Sequence, residues 1–315
     1  MPRRPKRPIR KPRALRPGDR IAIIAPASPF HRDAFEPGLA EIRSLGFEPV
    51  YDESVFARQG YVAGPAAVRA RAFVDAWEDP SIAAVVAARG GYGSAQLLPL
   101  IGAEAVARHD KAFIGYSDNT SILIWLTLQC GLVSFHGPMI EGRLGKGAAG
   151  YDRDTFLRCL CRAEPPGSIA HPSLEVVKAG EAAGLLIGGT LTQLTSSLGT
   201  PYAFKPPRGA VIFIDEVNER PYRIDRMLTH LRFSGVLGRA SALVFGELPN
   251  CDEPGGSPDR RALIADFTRD FPGPVLFGLP SGHTRGAILT LPFGVKSRVL
   301  AGSVPELIIE EAAVS

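Results

Sequence analysis

Ser117 stands where an apolar run ending at Gly115 gives way at once to a helical pattern, in Lys111-Ala-Phe-Ile-Gly-Tyr-Ser-Asp-Asn-Thr-Ser-Ile-Leu-Ile-Trp-Leu126. A serine in a sharp strand-to-helix turn lifts its hydroxyl above the sheet, and the first amides of the following helix point at any oxyanion formed there. The chemistry that suits this arrangement is acyl transfer. Gly115-Tyr-Ser-Asp118 lacks the second glycine of the usual Gly-x-Ser-x-Gly turn, so a plain helix N-cap is the competing account of Ser117.

A second candidate is Arg89-Gly-Gly-Tyr-Gly-Ser94, which follows a short apolar run. Glycines there let backbone amides approach a ligand closely. Gln96 occupies the position where a dinucleotide fingerprint needs its third glycine, which disfavours a Rossmann cofactor site. The segment is then either a tight turn or an oxyanion loop, with the amides of Gly90 and Gly91 joining that of Asp118 as donors.

Serine is a weak nucleophile at its own pKa, so acyl transfer also needs a base within hydrogen-bond reach and a carboxylate to fix the tautomer of that base. Of six histidines, His31, His109, His171 and His230 fall in polar loops or on helix surfaces and read as solvated. His136, in Ser-Phe-His-Gly-Pro138, could stabilise a turn or line a site. His283 lies just past a strand in a glycine-flanked loop, Leu279-Pro-Ser-Gly-His-Thr-Arg-Gly286, and is the strongest candidate base. For the carboxylate, Val211-Ile-Phe-Ile-Asp-Glu216 places Asp215 and Glu216 at the end of an apolar strand. Neighbouring strand residues point to opposite faces, so only one of the two can face the base.

The elements needed to position these residues are those of an α/β protein. Apolar strands at 20–26, 47–51 and 82–88 alternate with helical patterns at 35–45 and 65–78, the latter with Val68, Ala72, Phe73 and Trp77 on one side. Such alternation calls for a mostly parallel sheet with helices on both faces. A helix near 94–100, the strand into Ser117, a helix over 119–130 and a strand end at 133–138 complete an N-terminal domain expected over 16–145. Gly142–Gly150 is glycine-rich and without periodicity, which places a hinge near it. Residues 146–183 read as a linker. Short strands at 184–187, 210–214, 242–245, 275–277, 295–301 and 306–310 form a smaller, mixed β-rich α/β domain over 184–315.

Net charge is +4, but residues 1–20 hold nine Lys and Arg against Asp19 alone. The remainder carries 27 basic and 31 acidic residues, a net −4, which argues against nucleic acid as a partner. Residues 1–15 read as a disordered basic tail. No apolar run approaches the roughly 20 residues that span a bilayer, and the tail lacks a secretory core; the expected location is the cytoplasm, with no membrane partner. Cys130, Cys159, Cys161 and Cys251 match neither a zinc site nor a disulfide framework. No metal and no cofactor are expected.

Arg89-Gly-Gly-Tyr-Gly93, Gly115-Tyr-Ser-Asp-Asn-Thr-Ser121, Phe135-His-Gly-Pro-Met139, Gly188-Gly-Thr-Leu191, the segment Asp215–Leu228, Gly282-His283 and Thr290-Leu-Pro-Phe-Gly294 together resemble the LD-carboxypeptidase family of serine peptidases. That family includes muramoyltetrapeptide carboxypeptidases and microcin C resistance peptidases. The resemblance runs in order from Arg16 to Glu310. It implies a Ser-His-Glu triad with Ser117 as nucleophile and His283 as base. Where the family commonly has Leu-Glu-Asp, this chain has Ile214-Asp215-Glu216; ungapped matching puts Asp215 at the triad acid, and a one-residue shift would bring Glu216 there instead. It further implies cleavage of the L,D-bond before the terminal D-alanine of a murein tetrapeptide during peptidoglycan recycling, without metal, by a homodimer. A cation for the substrate carboxylate is sought among Arg89, Arg223, Arg226 and Arg285. The alternatives are a peptidase of microcin C-type peptidyl or aminoacyl nucleotides and, in another class, a non-catalytic α/β small-ligand-binding protein.

Overall fold

A computed structural model of the chain describes residues 8–257 and 259–315. The strands of the first half are β1 (Arg20–Ile24), β2 (Glu48–Val50), β3 (Ile82–Ala87), β4 (Ala112–Gly115) and β5 (Ser134–His136). The second half contributes β6 (Gly167–Ile169), β7 (Glu175–Lys178), β8 (Gly180–Thr190), β9 (Ala210–Asp215), β10 (Ala240–Gly246), β11 (Val275–Leu279), β12 (Leu291–Phe293), β13 (Lys296–Ala301) and β14 (Glu306–Ile309). The helices are α1 (Phe35–Ser44), α2 (Ala66–Glu78), α3 (Ala103–Val106), α4 (Thr120–Trp125), α5 (Arg153–Cys161), α6 (Leu191–Ser196), α7 (Pro221–Phe233) and α8 (Arg260–Phe267).

Two sheets result. The first has the order β12-β5-β4-β3-β1-β2 and is parallel except for β12 against β5. Its central strand β3 is buried at every residue, as a strand covered on both faces must be. The second has the order β6-β14-β13-β8-β9-β10-β11-β7, with a parallel run from β8 through β11 and antiparallel partners on either side. Strand β12 belongs to the C-terminal half of the sequence but pairs with β5, Leu291 opposite His136 and Phe293 opposite Ser134. The chain between β11 and β12 must therefore cross from one sheet to the other.

Helix α4 lies between the two cores. All six of its residues are buried; Ile122, Leu123 and Trp125 pack into the core around the first sheet and Ile124 into that around the second. A helix buried all round shows no amphipathic stripe. The helix expected over 119–130 is a composite: a 3-10 turn at Ser117–Asn119, α4, and a π-helical turn at Leu126–Cys130 that ends at Gly131.

Several expectations are corrected. The stretch 146–183 is not a linker: it supplies α5, capped by the Asp152 carboxylate accepting from the Thr155 amide at 2.6 Å, together with β6 and β7. Gly142–Gly150 contains a 3-10 segment, Leu144–Ala149. In place of a helix over 94–100 there is a 3-10 turn, Ser94–Leu97. On α2 the buried side holds Arg69, Ala70, Phe73 and Trp77, whereas Val68 is 39% exposed. Arg69 can be buried because backbone carbonyls receive its guanidinium, Gly64 at 3.0 Å and Gly93 at 2.9 Å among them.

The tail expected to be disordered through residue 15 divides in two. Residues 1–7 lie outside the described residues. From Arg10 onward the chain is docked: the Arg10 amide donates to Gly131 and its carbonyl accepts from Val133, each at 2.9 Å, and the Leu15 amide donates to Leu160 at 2.8 Å. Leu15 is buried in the main core, which outweighs the polar composition around it. Truncating a buried leucine typically removes about 2–5 kcal/mol. Leu15→Ala is therefore expected to lower the unfolding free energy by about 2–3 kcal/mol in chemical denaturation; an unchanged midpoint would show that this segment is not docked in solution.

Candidate active site

Ser117 follows β4 directly and adopts φ +62°, one of four non-glycine residues with positive φ among the described residues. A left-handed serine costs about 1–3 kcal/mol and persists only where the surroundings impose it. Here they do: Tyr116 and Asp118 on either side are buried, while Ser117 itself is half-exposed. The Asp118 carboxylate accepts from the Ser94 amide at 2.7 Å and from Gln193 Nε2 at 3.0 Å, and its carbonyl accepts from Ser94 Oγ at 2.6 Å. Asn119 Nδ2 donates to the Arg89 carbonyl at 3.1 Å. The turn is thus tied to the glycine loop and to α6.

That loop comes close. A Cβ added to Gly90 would meet Ser117 Cβ at 2.7 Å and Oγ at 3.0 Å, so only glycine lets the backbone pass beside the hydroxyl. Gly91, with φ +104°, packs on Ser28, whose hydroxyl accepts from the Tyr92 amide at 3.0 Å.

His283 lies on the crossing between β11 and β12, which carries it over the end of β4. Its Nε2 is 3.1 Å from Ser117 Oγ. Its Nδ1 is 2.7 Å from Asp215 Oδ2, and its amide donates to the same oxygen at 3.0 Å. Asp215, the last residue of β9, is fully buried. Close approach again demands glycine next to the histidine: Gly282 has φ +77°, and a Cβ there would fall 2.2 Å from Asp215 Oδ2. Burial disfavours the imidazolium of His283, but the charge of Asp215 and its hydrogen bond, with help from Glu216, outweigh that and raise the pKa above 6.5.

Glu216 faces elsewhere. Its carboxylate accepts from the Thr192 amide at 2.9 Å, from Thr192 Oγ1 at 2.7 Å and from the Val217 amide at 3.0 Å. Burial holds its pKa above the usual carboxylate range. His136 is completely buried beneath the base loop, with Nδ1 3.1 Å from Ser281 Oγ and its ring against Tyr116, Phe213 and Phe293. Burial, and then the positive charge of His283, push it down to about 3; it is a neutral packing residue. His31, His171 and His230 are exposed and His109 is half-buried.

Of the arginines considered for a carboxylate, Arg89 pairs with Glu141 at 3.0 Å and Arg223 with Glu219 at 3.4 Å, while Arg226 and Arg285 are exposed. Cys159, Cys161 and Cys251 are free thiols, and among the described residues no group of three His, Cys, Asp or Glu side chains is arranged to hold a metal. A groove of about 680 Å³ between α2 and β1–β2 is lined by none of Ser117, Asp215 and His283.

Both Ser117 and Asp215 sit at the carboxyl ends of parallel strands, the edge at which open α/β sheets bind ligands. A serine on a strained strand-to-helix turn, a histidine and a buried carboxylate in one hydrogen-bonded line define a serine-hydrolase class of site. The chain belongs to the LD-carboxypeptidase family: the family's N-terminal domain matches residues 21–137 and its C-terminal domain residues 183–299. It is similar to the murein tetrapeptide carboxypeptidase of Pseudomonas aeruginosa, 32% identical over 90% of this chain and 94% of that one. The crystal structure of a muramoyltetrapeptide carboxypeptidase from Oxalobacter formigenes is 29% identical with a TM-score of 0.81, covering 93% of this chain and 99% of its own. The microcin C7 self-immunity protein of Escherichia coli is 25% identical over 89% of this chain and 90% of its own. A solved structure of a microcin C7 self-immunity protein shares the fold, with a TM-score of 0.87 at 23% identity over 97% of this chain and 99% of that one. The protein is a serine-type carboxypeptidase by family.

Proposed function

We propose that the protein releases the terminal D-alanine from murein tetrapeptide, in the cytoplasm and as part of peptidoglycan recycling, with Ser117 as nucleophile, His283 as base and Asp215 as the acid that orients it. The observation that carries the reading is the line Ser117 Oγ to His283 Nε2 to Asp215 Oδ2, at 3.1 and 2.7 Å. The substrate follows from the named murein peptidases that this chain resembles along nearly its whole length.

In this mechanism His283 Nε2 takes the Ser117 proton as Oγ attacks the carbonyl of the terminal L,D-peptide bond. Asp215 holds the imidazole with Nδ1 protonated and stabilises the imidazolium that forms. The amides of Asp118 and of the Gly90–Gly91 loop receive the oxyanion; losing one such donor typically lowers the rate about 10²- to 10³-fold. The tetrahedral intermediate collapses as His283 returns the proton to the leaving D-alanine nitrogen. Water, deprotonated by the same imidazole, then cleaves the acyl ester and restores Ser117.

The direct test is incubation with murein tetrapeptide, with and without EDTA, and mass spectrometry of the products. Tripeptide plus D-alanine, unaffected by the chelator, is expected. A parallel incubation with an aminoacyl sulfamoyl adenosine separates the reading from that suggested by the microcin relatives, one of which is solved with aspartyl sulfamoyl adenosine. Hydrolysis of the nucleotide alone, with the tetrapeptide untouched, would overturn the substrate assignment. The homodimer implied by family likeness belongs to the same reading and is read by light scattering.

The raised pKa of His283 sets the pH dependence. Only the neutral imidazole can accept the serine proton, so kcat/KM rises with pH through the pKa of the free enzyme. The acid limb is expected above pH 6.5; a limb below that value would show that the Asp215 charge does not act on the base as the geometry requires.

A further inference from the structure

Arg143, in the glycine-rich segment that follows β5, directs its side chain toward the site. Its Nε donates to Tyr116 Oη at 3.2 Å. Its Nη1 donates to the carbonyls of Gly286 at 2.8 Å and Gly150 at 3.4 Å, and its Nη2 to those of Thr284 at 3.0 Å and Gly282 at 3.2 Å. A guanidinium presents five N–H groups, and five neutral oxygens receive them. Three of those oxygens bracket His283 in the chain. The Tyr116 hydroxyl belongs to the residue before Ser117, and the ring of Tyr116 meets the His283 imidazole edge-on with centroids 5.3 Å apart.

The loop needs such support. Glycines at 282 and 286 leave the backbone around His283 with more freedom than any other residue type would, yet a base must be held in a narrow range of position to act on its nucleophile. We propose that Arg143 is a positioning residue that pins the loop carrying His283 to the turn carrying Ser117, and so keeps the imidazole aligned between Ser117 and Asp215. The inference rests on the reading of His283 as base. A lysine could supply charge but not the planar fork that reaches several carbonyls at once.

Charge provides a second readout. The groups facing His283 are Asp215 and Glu216, which raise its pKa, and Arg143, which lowers it; His136 below is neutral. Loss of the guanidinium therefore moves the acid limb of kcat/KM upward.

The test compares wild type, Arg143→Ala and Arg143→Lys in three measurements: kcat and KM on murein tetrapeptide, the pH profile, and the rate of Ser117 labelling by a fluorophosphonate that carries no peptide carboxylate. For Arg143→Ala we expect kcat to fall about 100-fold with KM little changed, labelling to slow in parallel, and the acid limb to move up. Arg143→Lys should recover part of kcat and keep the limb near that of wild type. A raised KM with normal kcat and labelling would make Arg143 a substrate-carboxylate ligand and overturn the proposal. Should Arg143→Ala fail to fold by circular dichroism, Arg143→Lys decides: a folded variant with unchanged kcat and labelling overturns it, and a slowed one supports it. If wild type itself resists the phosphonate, the serine reading falls and this inference with it, a result distinct from any difference between the variants.

Discussion

Ser117→Ala is expected to lower kcat by on the order of 10⁶-fold, the scale on which serine peptidases lose turnover when the nucleophile is removed. The substitution deletes only Oγ, the atom 3.1 Å from His283 Nε2. Alanine at φ +62° bears much the same backbone strain as serine, and the bonds that hold the turn run through Asp118, Ser94, Asn119 and Gln193 rather than through the serine hydroxyl. The variant should therefore melt close to wild type while releasing no measurable D-alanine. Activity within about tenfold of wild type, far short of the loss that removing a true nucleophile produces, would remove Ser117 from the mechanism altogether.

Asp215→Asn should lower kcat about 10⁴-fold, whereas Glu216→Gln should leave most of the activity. In the native site Asp215 Oδ2 accepts from both the amide and the Nδ1 of His283. That keeps the proton on Nδ1 and leaves the Nε2 lone pair facing Ser117. An asparagine can present its amide nitrogen to Nδ1, which puts the ring proton on Nε2, where no lone pair then remains to receive the serine hydrogen. The same change removes the charge that raises the pKa of His283, so any residual kcat/KM should show an acid limb moved downward. Glu216 is bonded to Thr192 and Val217 and touches His283 only through space. Equal losses in the two variants, with both folded, would contradict the division of roles between these neighbours.

Much of the first sheet was legible because its signals are local. The strand into Ser117, the glycines at 90 and 91 and the buried strand before them are written in runs of a few residues, and a covered parallel strand must be apolar throughout. The mistakes share a cause. Docking of Arg10–Leu15, burial of Arg69 in place of Val68, and the elements within 146–183 all depend on partners far along the chain. Arg143 gave no signal at all, since its importance lies in carbonyls more than 130 residues away, and carbonyls are present in every residue.

The amino-acid sequence by itself determined the candidates: a serine at a strand-to-helix junction, a histidine between glycines, two adjacent acids at a strand end, and an order of motifs that marks the family. It left open which acid would matter, because Asp215 and Glu216 are adjacent carboxylates at the end of one apolar run, and which way each points is settled by the pairing of β9 with β8 and β10. Tertiary structure decided that choice and one thing more. The crossing from β11 in one sheet to β12 in the other draws an imidazole to a hydroxyl 166 residues before it in the chain, a distance over which no local pattern carries information.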